Sequence, residues 1–364
     1  MGDSSGPAAV AVIGAGAWGT TLAALVARRE SVSLVCRTPE AARRIASTRR
    51  NEARLPGVEL PASVRPTAEP AALDGAELVI VAVPSAHVRS TMAAFGPHVG
   101  ARADVLSVVK GLERATLLRM SEVIAEAAAL DASRVAALSG PNLAPEIARG
   151  LPASAVVAAT VGSVAARVAD RLARRRFRLY VNSDLLGVEL AGALKNVVAI
   201  AAGAAEALGF GDNGKAGLMT RGLAEMMRLG IAMGANPLTF AGLAGIGDIV
   251  ATCGSPLSRN HRLGVELAAG RPWSEIESTL PGVAEGAYTV DAAIGLARRH
   301  GVEMPIAEEV HAALFEGKSA RRCLVDLLAR ERRDELPDLG PWLERLSAAG
   351  PSPVPAGVRG GTGW

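Results

Sequence analysis

Ala8-Ala-Val-Ala-Val-Ile13, followed by Gly14-Ala-Gly-Ala-Trp-Gly19, is the stretch that decides the fold. Its first six residues are apolar and partly β-branched, which is typical of a strand buried in a parallel sheet. A helix-forming stretch over residues 20–29 follows the G-x-G-x-x-G pattern. In that context Gly14 makes a tight turn, Gly16 lets the backbone approach a pyrophosphate, and Gly19 packs helix against strand. The pattern predicts a dinucleotide site; the alternative is a glycine-rich turn that binds nothing.

The second predicted strand, Ser31-Val-Ser-Leu-Val-Cys36, bears on the choice of cofactor. In folds that prefer NAD, this strand usually ends in an Asp or Glu that binds the ribose 2′-hydroxyl. Arg37 stands there instead, and Arg43 and Arg44 follow on the next predicted helix. A cation at this place favours a 2′-phosphate. We therefore expect NADPH or NADP to be preferred, with NADH or NAD tolerated.

Further apolar, β-branched runs alternate with helical stretches along the first half of the chain. Together with the two runs above they make about seven strands. This alternation predicts an α/β fold whose N-terminal part is a doubly wound Rossmann sheet ending near Asp184. Residues 51–70 are predicted to be a Pro-punctuated connection. The remaining predicted strands are residues 76–83, 104–109, 134–139, 151–160 and 177–182.

The pattern changes after Asp184. Nearly everything from there to about Leu328 is predicted to be helix or Gly-rich loop, so we expect a mostly α-helical C-terminal domain. The predicted organisation is a dinucleotide-binding domain over residues 1–184 and a helical substrate and catalytic domain over residues 185–332. The last segment, residues 333–364, is rich in Pro, Gly and Ser, and we expect it to be a mobile tail.

Composition excludes several classes of function. The net charge of +3 is mild, and no basic tract with interleaved aromatic residues suggests a nucleic-acid partner. Three cysteines, odd in number and far apart, argue against a disulfide framework and fit a reducing cytoplasm. Five histidines without paired spacing give little support to a metal site. The uncharged runs over residues 7–27 and 229–247 are interrupted by glycines or a proline, so we expect no membrane span.

The C-terminal domain is predicted to begin with the helix that carries Lys195. Residues 188–208 are rich in Ala and Leu, and their only charged or amide side chains are Glu189, Lys195, Asn196 and Glu206. Such a helix is expected to be buried, and no carboxylate lies three or four positions from the lysine. A desolvated lysine has a lowered pKa and can exchange a proton. The alternative is a lysine whose head group reaches water.

Three other features are suited to an anionic substrate. Lys110 follows the predicted strand over residues 104–109, at the end of the sheet where ligands bind. Asp248 is a lone carboxylate in a Gly-rich setting, and Ser258-Arg-Asn260 is predicted to begin a helix in which the planar guanidinium of Arg259 suits phosphate. Plainer interpretations stay open: a surface charge for Lys110 and Arg259, and a turn former for Asp248.

The chain resembles the bacterial NAD(P)-dependent glycerol-3-phosphate dehydrogenases from Val10 to about Leu328. Eleven separate motifs, in order along the chain, carry the resemblance, which makes it far more specific than any one of them. The motifs are Gly14-Ala-Gly-Ala-Trp-Gly-Thr20, Leu55-Pro-Gly57, Val83-Pro-Ser85, Lys110-Gly111, Ser139-Gly-Pro141, Gly192-Ala-Leu-Lys-Asn196, Thr220-Arg-Gly-Leu-Ala-Glu225, Gly242-Leu-Ala-Gly-Ile-Gly-Asp248, Ser258-Arg-Asn260, Glu285-Gly286 and Met304-Pro-Ile306.

The resemblance implies the reversible, NAD(P)H-dependent reduction of dihydroxyacetone phosphate to sn-glycerol 3-phosphate, which supplies phospholipid synthesis. It implies that Lys195 is the catalytic residue and exchanges the proton at the C2 oxygen. Substrate binding is implied for Lys110, Gly140, Asn142, Lys195, Asp248, Ser258, Arg259 and Asn260. Besides Gly14, Gly16 and Gly19, cofactor contacts are implied for Ala17, Trp18, Arg37, Lys110, Ala144, Arg259, Val283 and Glu285. We also expect a cytoplasmic homodimer.

The chain departs from the family pattern at two places. Asn142-Leu143 stands where the family usually has Ser or Thr followed by Phe, so an amide replaces an expected hydroxyl. Asp212-Asn-Gly-Lys-Ala-Gly217 stands where the family usually has Asp-Asn-Thr-Lys-Ala-Ala.

Two other functions stay open at the level of sequence. The first is another β-hydroxyacid-type dehydrogenase, such as a ketopantoate or hydroxyacyl reductase, although those lack the Ser-Arg-Asn element. The second is a non-catalytic nucleotide-binding sensor, which would have no use for Lys195 in an apolar helix.

Overall fold

The N-terminal half of the chain forms a single eight-stranded sheet. The computed structural model describes residues 8–280 and 282–331, together with Gly340 and Glu344. The predicted tail over residues 333–364 therefore lies outside the described residues, apart from those two. The strands are Val10–Ile13 (β1), Val32–Val35 (β2), Val64–Thr67 (β3), Leu78–Val81 (β4), Asp104–Ser107 (β5), Val135–Ser139 (β6), Ala153–Ala159 (β7) and Phe177–Asn182 (β8).

The strand order is β3-β2-β1-β4-β5-β6-β7-β8, so the chain winds outward from β1 in both directions. All neighbouring strands are parallel except β6 and β7, which are antiparallel. The predicted doubly wound Rossmann sheet is confirmed. The order reverses between β1 and β4, and in such sheets ligands bind in the crevice beyond the carboxyl ends of the strands at that point.

The prediction that residues 51–70 are only a connection is wrong, because this segment contains β3. This strand pairs parallel with β2 and forms the edge of the sheet. Pro66 lies inside it. A proline has no N–H for the hydrogen-bond ladder and is tolerated in strands mainly at an edge. Four residues that include a proline are too short and too irregular to predict a strand.

Helices cover both faces of the sheet. Because successive side chains of a strand point to opposite faces, Val10 and Val12 join one apolar core while Ala11 and Ile13 join the other. The helices of this half are Ala17–Val26 (α1), Pro39–Thr48 (α2), Val88–Phe95 (α3), Met120–Ala127 (α4), Ala144–Ala148 (α5) and Gly162–Leu172 (α6).

The rest of the described chain is helical, as the sequence predicted, and it is organised around one central helix. The helices are Leu185–Ala207 (α7), Gly211–Met233 (α8), Pro237–Phe240 (α9), Asp248–Gly254 (α10), Arg259–Ala268 (α11), Trp273–Thr279 (α12), Glu285–Arg299 (α13), Pro305–Phe315 (α14) and Ala320–Leu328 (α15). Helix α7 packs against α8, α10, α11 and α13. Helices α7 and α11 approach so closely that a Cβ at Gly264 would overlap the carbonyl oxygen of Ile200. The glycine at this position permits the approach.

Two stretches of the described residues are long and apolar enough to cross a membrane: Leu185–Ala207 and Pro237–Gly254. The first is 94% buried inside the protein, and half of the second is buried. Because the core helix of a globular protein passes the same test, these stretches are weak support for a membrane span.

Candidate active site

Lys195 is buried at the middle of α7 and has two polar partners on α10. Its Nζ donates to Thr252 Oγ1 at 2.6 Å and lies 3.0 Å from Asp248 Oδ1. Thr252 Oγ1 in turn donates to Asp248 Oδ1 at 3.0 Å. Lys195 is only 5% exposed, so its head group does not reach bulk water. Helix α7 itself offers Lys195 no carboxylate partner, as the sequence predicted. The fold supplies one from another helix, Asp248 on α10.

Asp248 also binds Lys110. Lys110 Nζ donates to Asp248 Oδ2 at 2.5 Å and to the carbonyl oxygen of Gly140 at 2.8 Å. Burial acts to raise the pKa of Asp248, but the positive charges of Lys110 and Lys195 outweigh it and the pKa is lowered. Burial lowers the pKa of Lys110 to about 8, the attraction of Asp248 opposes this, and the charge of Lys195 adds to it. One carboxylate thus lies between two lysines, which leaves the cluster able to accept a further negative charge.

The backbone before Asp248 explains how that carboxylate is positioned. Residues Leu243–Gly247 form a π-helical turn that leads directly into α10. A Cβ at Gly245 would overlap the carbonyl oxygen of Phe240, so this close turn requires a glycine. π-Helical turns are frequent at functional sites.

Two asparagines join the lysine cluster to its surroundings. Asn196 Nδ2 donates to the carbonyl oxygen of Lys110 at 3.2 Å, and Asn196 Oδ1 accepts from Asn260 Nδ2 at 2.8 Å. Asn260 Oδ1 accepts from the Gly286 backbone N–H at 2.9 Å. This chain of bonds holds the loop after β5 against α7, α11 and α13. Asn260, predicted to bind substrate, therefore uses its oxygen and one N–H within the protein and keeps one N–H for a ligand.

The predicted phosphate site is the start of α11. Ser258 caps this helix, and its Oγ accepts from the His261 backbone N–H at 3.2 Å. The guanidinium of Arg259 makes no hydrogen bond or ion pair with the residues that the structure describes. Burial lowers the pKa of Arg259, the carboxylate of Glu285 opposes this, and the charge of Arg54 adds to it. A guanidinium without a partner at a helix N-terminus is well suited to bind a phosphate.

The glycine-rich loop has the geometry that the sequence predicted. Gly14 has a φ of 110°, and a Cβ on it would come within 2.6 Å of the Ala82 carbonyl oxygen. A Cβ at Gly19 would overlap the carbonyl oxygen of Gly14. By contrast, a Cβ at Gly16 would meet nothing within 4 Å. The open space at Gly16 is the room that a pyrophosphate needs.

Four other predicted cofactor residues lie in or around this loop. The indole Nε1 of Trp18 is buried without a hydrogen-bond partner, next to Ala17 at the start of α1. Arg37 lies beyond the end of β2 and is exposed. Ala144 begins α5, and its carbonyl oxygen accepts from Thr21 Oγ1 at 3.3 Å, which joins that helix to α1.

Asn142 lies in the loop between β6 and α5, two residues after Gly140. Both its Nδ2 and its Oδ1 are buried without a partner, and so is the Oγ of the nearby Ser139. Buried polar atoms are rarely left unpaired in native proteins, so unpaired atoms indicate a place for a ligand. The amide that departs from the family pattern is thus available to bind one.

Glu285 contacts the sheet half of the protein. Its carboxylate accepts from the Ser85 backbone N–H at 3.2 Å and from Ser85 Oγ. Burial raises the pKa of Glu285, and the hydrogen bonds from Ser85 oppose that rise. Glu285 and the half-buried Val283 were both predicted to contact the nucleotide; here the polar atoms of Glu285 are engaged with the protein.

Two residues of this site were not predicted from the sequence to have a role in it. Ser85 was noted only as part of the motif Val83-Pro-Ser85, and Thr252 was not singled out. The spacing of Thr252, four positions after Asp248 on a helix, was a signal that could have identified it. Over residues 8–280 and 282–331, no group of three or more His, Cys, Asp or Glu could hold a metal ion.

The chain is similar to known proteins along most of its length. Two family models match the chain, the N-terminus of NAD-dependent glycerol-3-phosphate dehydrogenase over residues 9–165 and its C-terminus over residues 184–325. The glycerol-3-phosphate dehydrogenase (NAD(P)+) of Streptomyces griseus is 47% identical over 331 residues, which are 90% of this chain and 98% of the relative. The enzyme of the same name from Moorella thermoacetica is 47% identical over 335 residues, covering 92% and 99% of the two chains.

A solved structure is similar along the same length. The crystal structure of glycerol-3-phosphate dehydrogenase from Coxiella burnetii superposes with a TM-score of 0.84 at 34% identity. The superposition covers 88% of this chain and 98% of that one.

Proposed function

The chain belongs to the NAD-dependent glycerol-3-phosphate dehydrogenase family, and from this premise we propose how its residues carry out the reaction. The enzyme reduces dihydroxyacetone phosphate to sn-glycerol 3-phosphate with NAD(P)H. The observation that carries the proposal is the position of Asp248 between Lys110 and Lys195. The product, in this proposal, is used for phospholipid synthesis.

The residues of the crevice fit a dinucleotide. The space at Gly16 is open, and the indole N–H of Trp18 is buried without a partner. The backbone N–H groups of the glycine-rich loop would hold the pyrophosphate, and Arg37 would bind a 2′-phosphate. When bound, the reduced nicotinamide supplies the hydride that C2 of the substrate receives.

Lys195 acts as the proton donor in the direction of reduction. As the C2 carbonyl becomes an alkoxide, the ammonium of Lys195 gives a proton to that oxygen. In the reverse direction the neutral amine removes the proton. Asp248 and Thr252 orient the Lys195 head group, and Lys110 brings a second positive charge that stabilises the developing oxyanion.

The start of α11 holds the phosphate of the substrate. Arg259 binds it through a free guanidinium, and Ser258 and Asn260 add hydrogen bonds. Gly140 and Asn142, in the loop between β6 and α5, complete the substrate site. Because the phosphate is remote from C2, its binding energy serves to fix C2 in a reactive position.

The function is tested with a panel of ketones that differ in phosphorylation. Purified protein is supplied with NADPH and with dihydroxyacetone phosphate, dihydroxyacetone or ketopantoate, and the oxidation of NADPH is followed by absorbance. We expect turnover with the phosphorylated ketone only. Equal or faster turnover of ketopantoate would favour the other dehydrogenase class, and tight NADPH binding without any turnover would favour a nucleotide sensor.

The preference for NADPH rests on Arg37 at the end of β2. It is tested by comparing kcat/KM for NADPH and for NADH at saturating dihydroxyacetone phosphate. We expect the larger value with NADPH, and a marked preference for NADH would refute the role of Arg37.

We also propose the division into domains at residues 184–185, a homodimer and a cytoplasmic location. The three free cysteines are all buried, which fits a reducing compartment. Support for a dimer comes from the exposed apolar edge of the sheet, where Tyr180 and Val181 on β8 are each 51% exposed beside Leu238 at 70%. Light scattering on the purified protein should give twice the chain mass of 37.2 kDa.

A further inference from the structure

Arg54 lies on a tight turn that Asn51 fixes against the glycine-rich loop. Asn51 is buried, and its Nδ2 donates to the Ala15 carbonyl oxygen at 2.9 Å and to Thr20 Oγ1 at 2.8 Å. The backbone N–H groups of Arg54 and Leu55 donate to the Asn51 carbonyl oxygen at 3.0 and 2.8 Å. Leu55 is 1% exposed. The backbone of Arg54 is therefore held in place while its side chain is exposed.

Arg54 has no carboxylate partner among the residues that the structure describes. The acidic residues of the same segment are engaged elsewhere. Glu52 accepts from the Gly57 backbone N–H at 3.0 Å, and Glu52 and Glu59 lie 3.8 and 3.9 Å from the guanidinium of Arg50. A free guanidinium on a fixed backbone, next to a loop built for a pyrophosphate, is available to an anion.

Arg54 and Arg259 lie in different halves of the protein, and their charges interact. Arg54 belongs to the sheet half of the protein, whereas Arg259 begins α11 in the helical half. The two guanidinium groups are close enough that the charge of Arg54 helps to lower the pKa of Arg259, after burial and against the attraction of Glu285. Two like charges that are close to each other repel, and an anion bound at Arg54 would relieve that repulsion.

We propose that Arg54 binds the diphosphate of the dinucleotide cofactor from the sheet half of the protein. The inference rests on the proposed function, which supplies the dinucleotide. The turn of Arg54 is joined through Asn51 to the loop in which Gly16 leaves room for a pyrophosphate, so the guanidinium lies beside that room. Because Arg37 lies at the separate place expected for a 2′-phosphate, NADPH and NADH should use Arg54 equally.

Binding of the two cofactors without substrate tests this role. Isothermal titration of Arg54→Ala should give a Kd about tenfold higher for both NADPH and NADH, the loss expected for a charge-assisted hydrogen bond. Arg54→Lys should lose less cofactor affinity than Arg54→Ala, because lysine keeps the positive charge but lacks the planar guanidinium. Arg50→Ala is the matched control: the residue lies on the same segment but is paired with carboxylates, and its Kd values should stay within about twofold. The affinity of Arg54→Ala for adenosine 5′-diphosphate, measured in competition with the cofactor, should fall by the same factor as its affinity for the full cofactors.

Other outcomes overturn the inference in distinguishable ways. Unchanged cofactor affinities in Arg54→Ala would show that the guanidinium binds no part of the dinucleotide. A loss confined to NADPH would place it at the 2′-phosphate, and a higher KM for dihydroxyacetone phosphate alone would place it at the substrate. If the unaltered protein binds neither cofactor, the proposed function fails too. A thermal unfolding curve that matches the unaltered protein verifies that Arg54→Ala is folded.

Discussion

Asp248 contacts Lys195 through Oδ1 and Lys110 through Oδ2, so two ammonium groups lie on either side of one buried carboxylate. One negative charge between two positive charges leaves the cluster with a net positive charge. Fixed positive charge of this kind stabilises an oxyanion better than water does, because it needs no reorganisation during the reaction. The hydroxyl of Thr252 donates to Asp248 and accepts from Lys195, which fixes the direction of the Lys195 head group.

Replacement of Lys195 by Ala should remove the proton donor. We expect kcat to fall by roughly 10²–10⁴, the usual contribution of a general acid, while the Kd for NADPH changes little. Stopped-flow measurement of NADPH oxidation gives the rate. Lys318→Ala, a substitution far from the crevice, serves as the control and should keep normal kcat. A Lys195→Ala enzyme with near-normal kcat would require a different proton donor.

The lowered pKa of Lys110, about 8, predicts a pH dependence. As pH rises through that value Lys110 loses the proton and with it the charge that attracts the anionic substrate. The value of kcat/KM for dihydroxyacetone phosphate should therefore be highest below pH 8 and fall above it, measured over pH 6–10. In Lys110→Arg the fall should move to higher pH, since arginine stays charged. The same fall at the same pH in that variant would assign the titration to another group.

At the scale of elements, Glu225 on α8 supports the start of α14. Its Oε1 accepts from the Ile306 backbone N–H at 2.8 Å, in the first turn of that helix. Glu225 is 4% exposed, and burial raises its pKa from 4.5 to about 7, although the hydrogen bond from Ile306 opposes the rise. A raised carboxyl pKa means that the folded protein holds this proton more tightly than the unfolded chain does.

Stability should therefore fall between pH 4.5 and 7, because the unfolded chain loses this proton first. Over that range the free energy of unfolding loses about 3 kcal/mol through Glu225. Glu225→Gln keeps an oxygen for the Ile306 N–H and has no such loss. Its advantage over the unaltered protein should grow across this range in urea unfolding followed by circular dichroism. Asp212→Asn, exposed in the first turn of the same helix as Glu225, is the control. A Glu225→Gln advantage that is constant with pH would contradict the argument.

Elements with a strong local signal could be predicted from the sequence, and those without one could not. The glycine-rich loop was predicted correctly because Gly14 and Gly19 are each required by a local steric restriction, such as the overlap between a Cβ at Gly19 and the Gly14 carbonyl oxygen. Strand β3 was missed because it has four residues, one of them Pro66. Strand β3 forms because it pairs with β2. The residues of β3 alone give no sequence pattern that predicts this pairing.

At the scale of the whole molecule, the site depends on contacts between the sheet half and the helical half. Lys110 and Asp248 are 138 positions apart, and Ser85 and Glu285 are 200 apart. Of these four residues, Lys110, Asp248 and Glu285 were predicted from sequence motifs to belong to the site, and Ser85 was not. The sequence could not predict that Asp248 would be shared between two lysines, because that contact depends on how the halves pack.

Glu189 offers a test of that packing. It lies on α7, and its carboxylate accepts from the Ser121 backbone N–H at 2.8 Å, from Ser121 Oγ at 2.6 Å and from Arg119 Nη1 at 2.6 Å. Arg119 and Ser121 lie at the start of α4, beside the sheet. One buried carboxylate on the central helix thus satisfies the first turn of a helix in the other half.

Glu189→Gln should destabilise the contact between the sheet half and the helical half. The amide cannot accept from all three donors, so Arg119 loses its buried charged partner and keeps only the more exposed Glu122. Removing one partner of a buried ion pair costs up to about 3–5 kcal/mol. We expect the urea midpoint to fall and the unfolding of the helical half to separate from that of the sheet half. Glu122→Gln is the matched control, because Glu122 pairs with the same Arg119 but is more exposed; it should cost about 1 kcal/mol or less. Equal losses in the two variants would mean that Glu189 contributes no more than a surface charge, and that the halves are held together mainly by apolar packing.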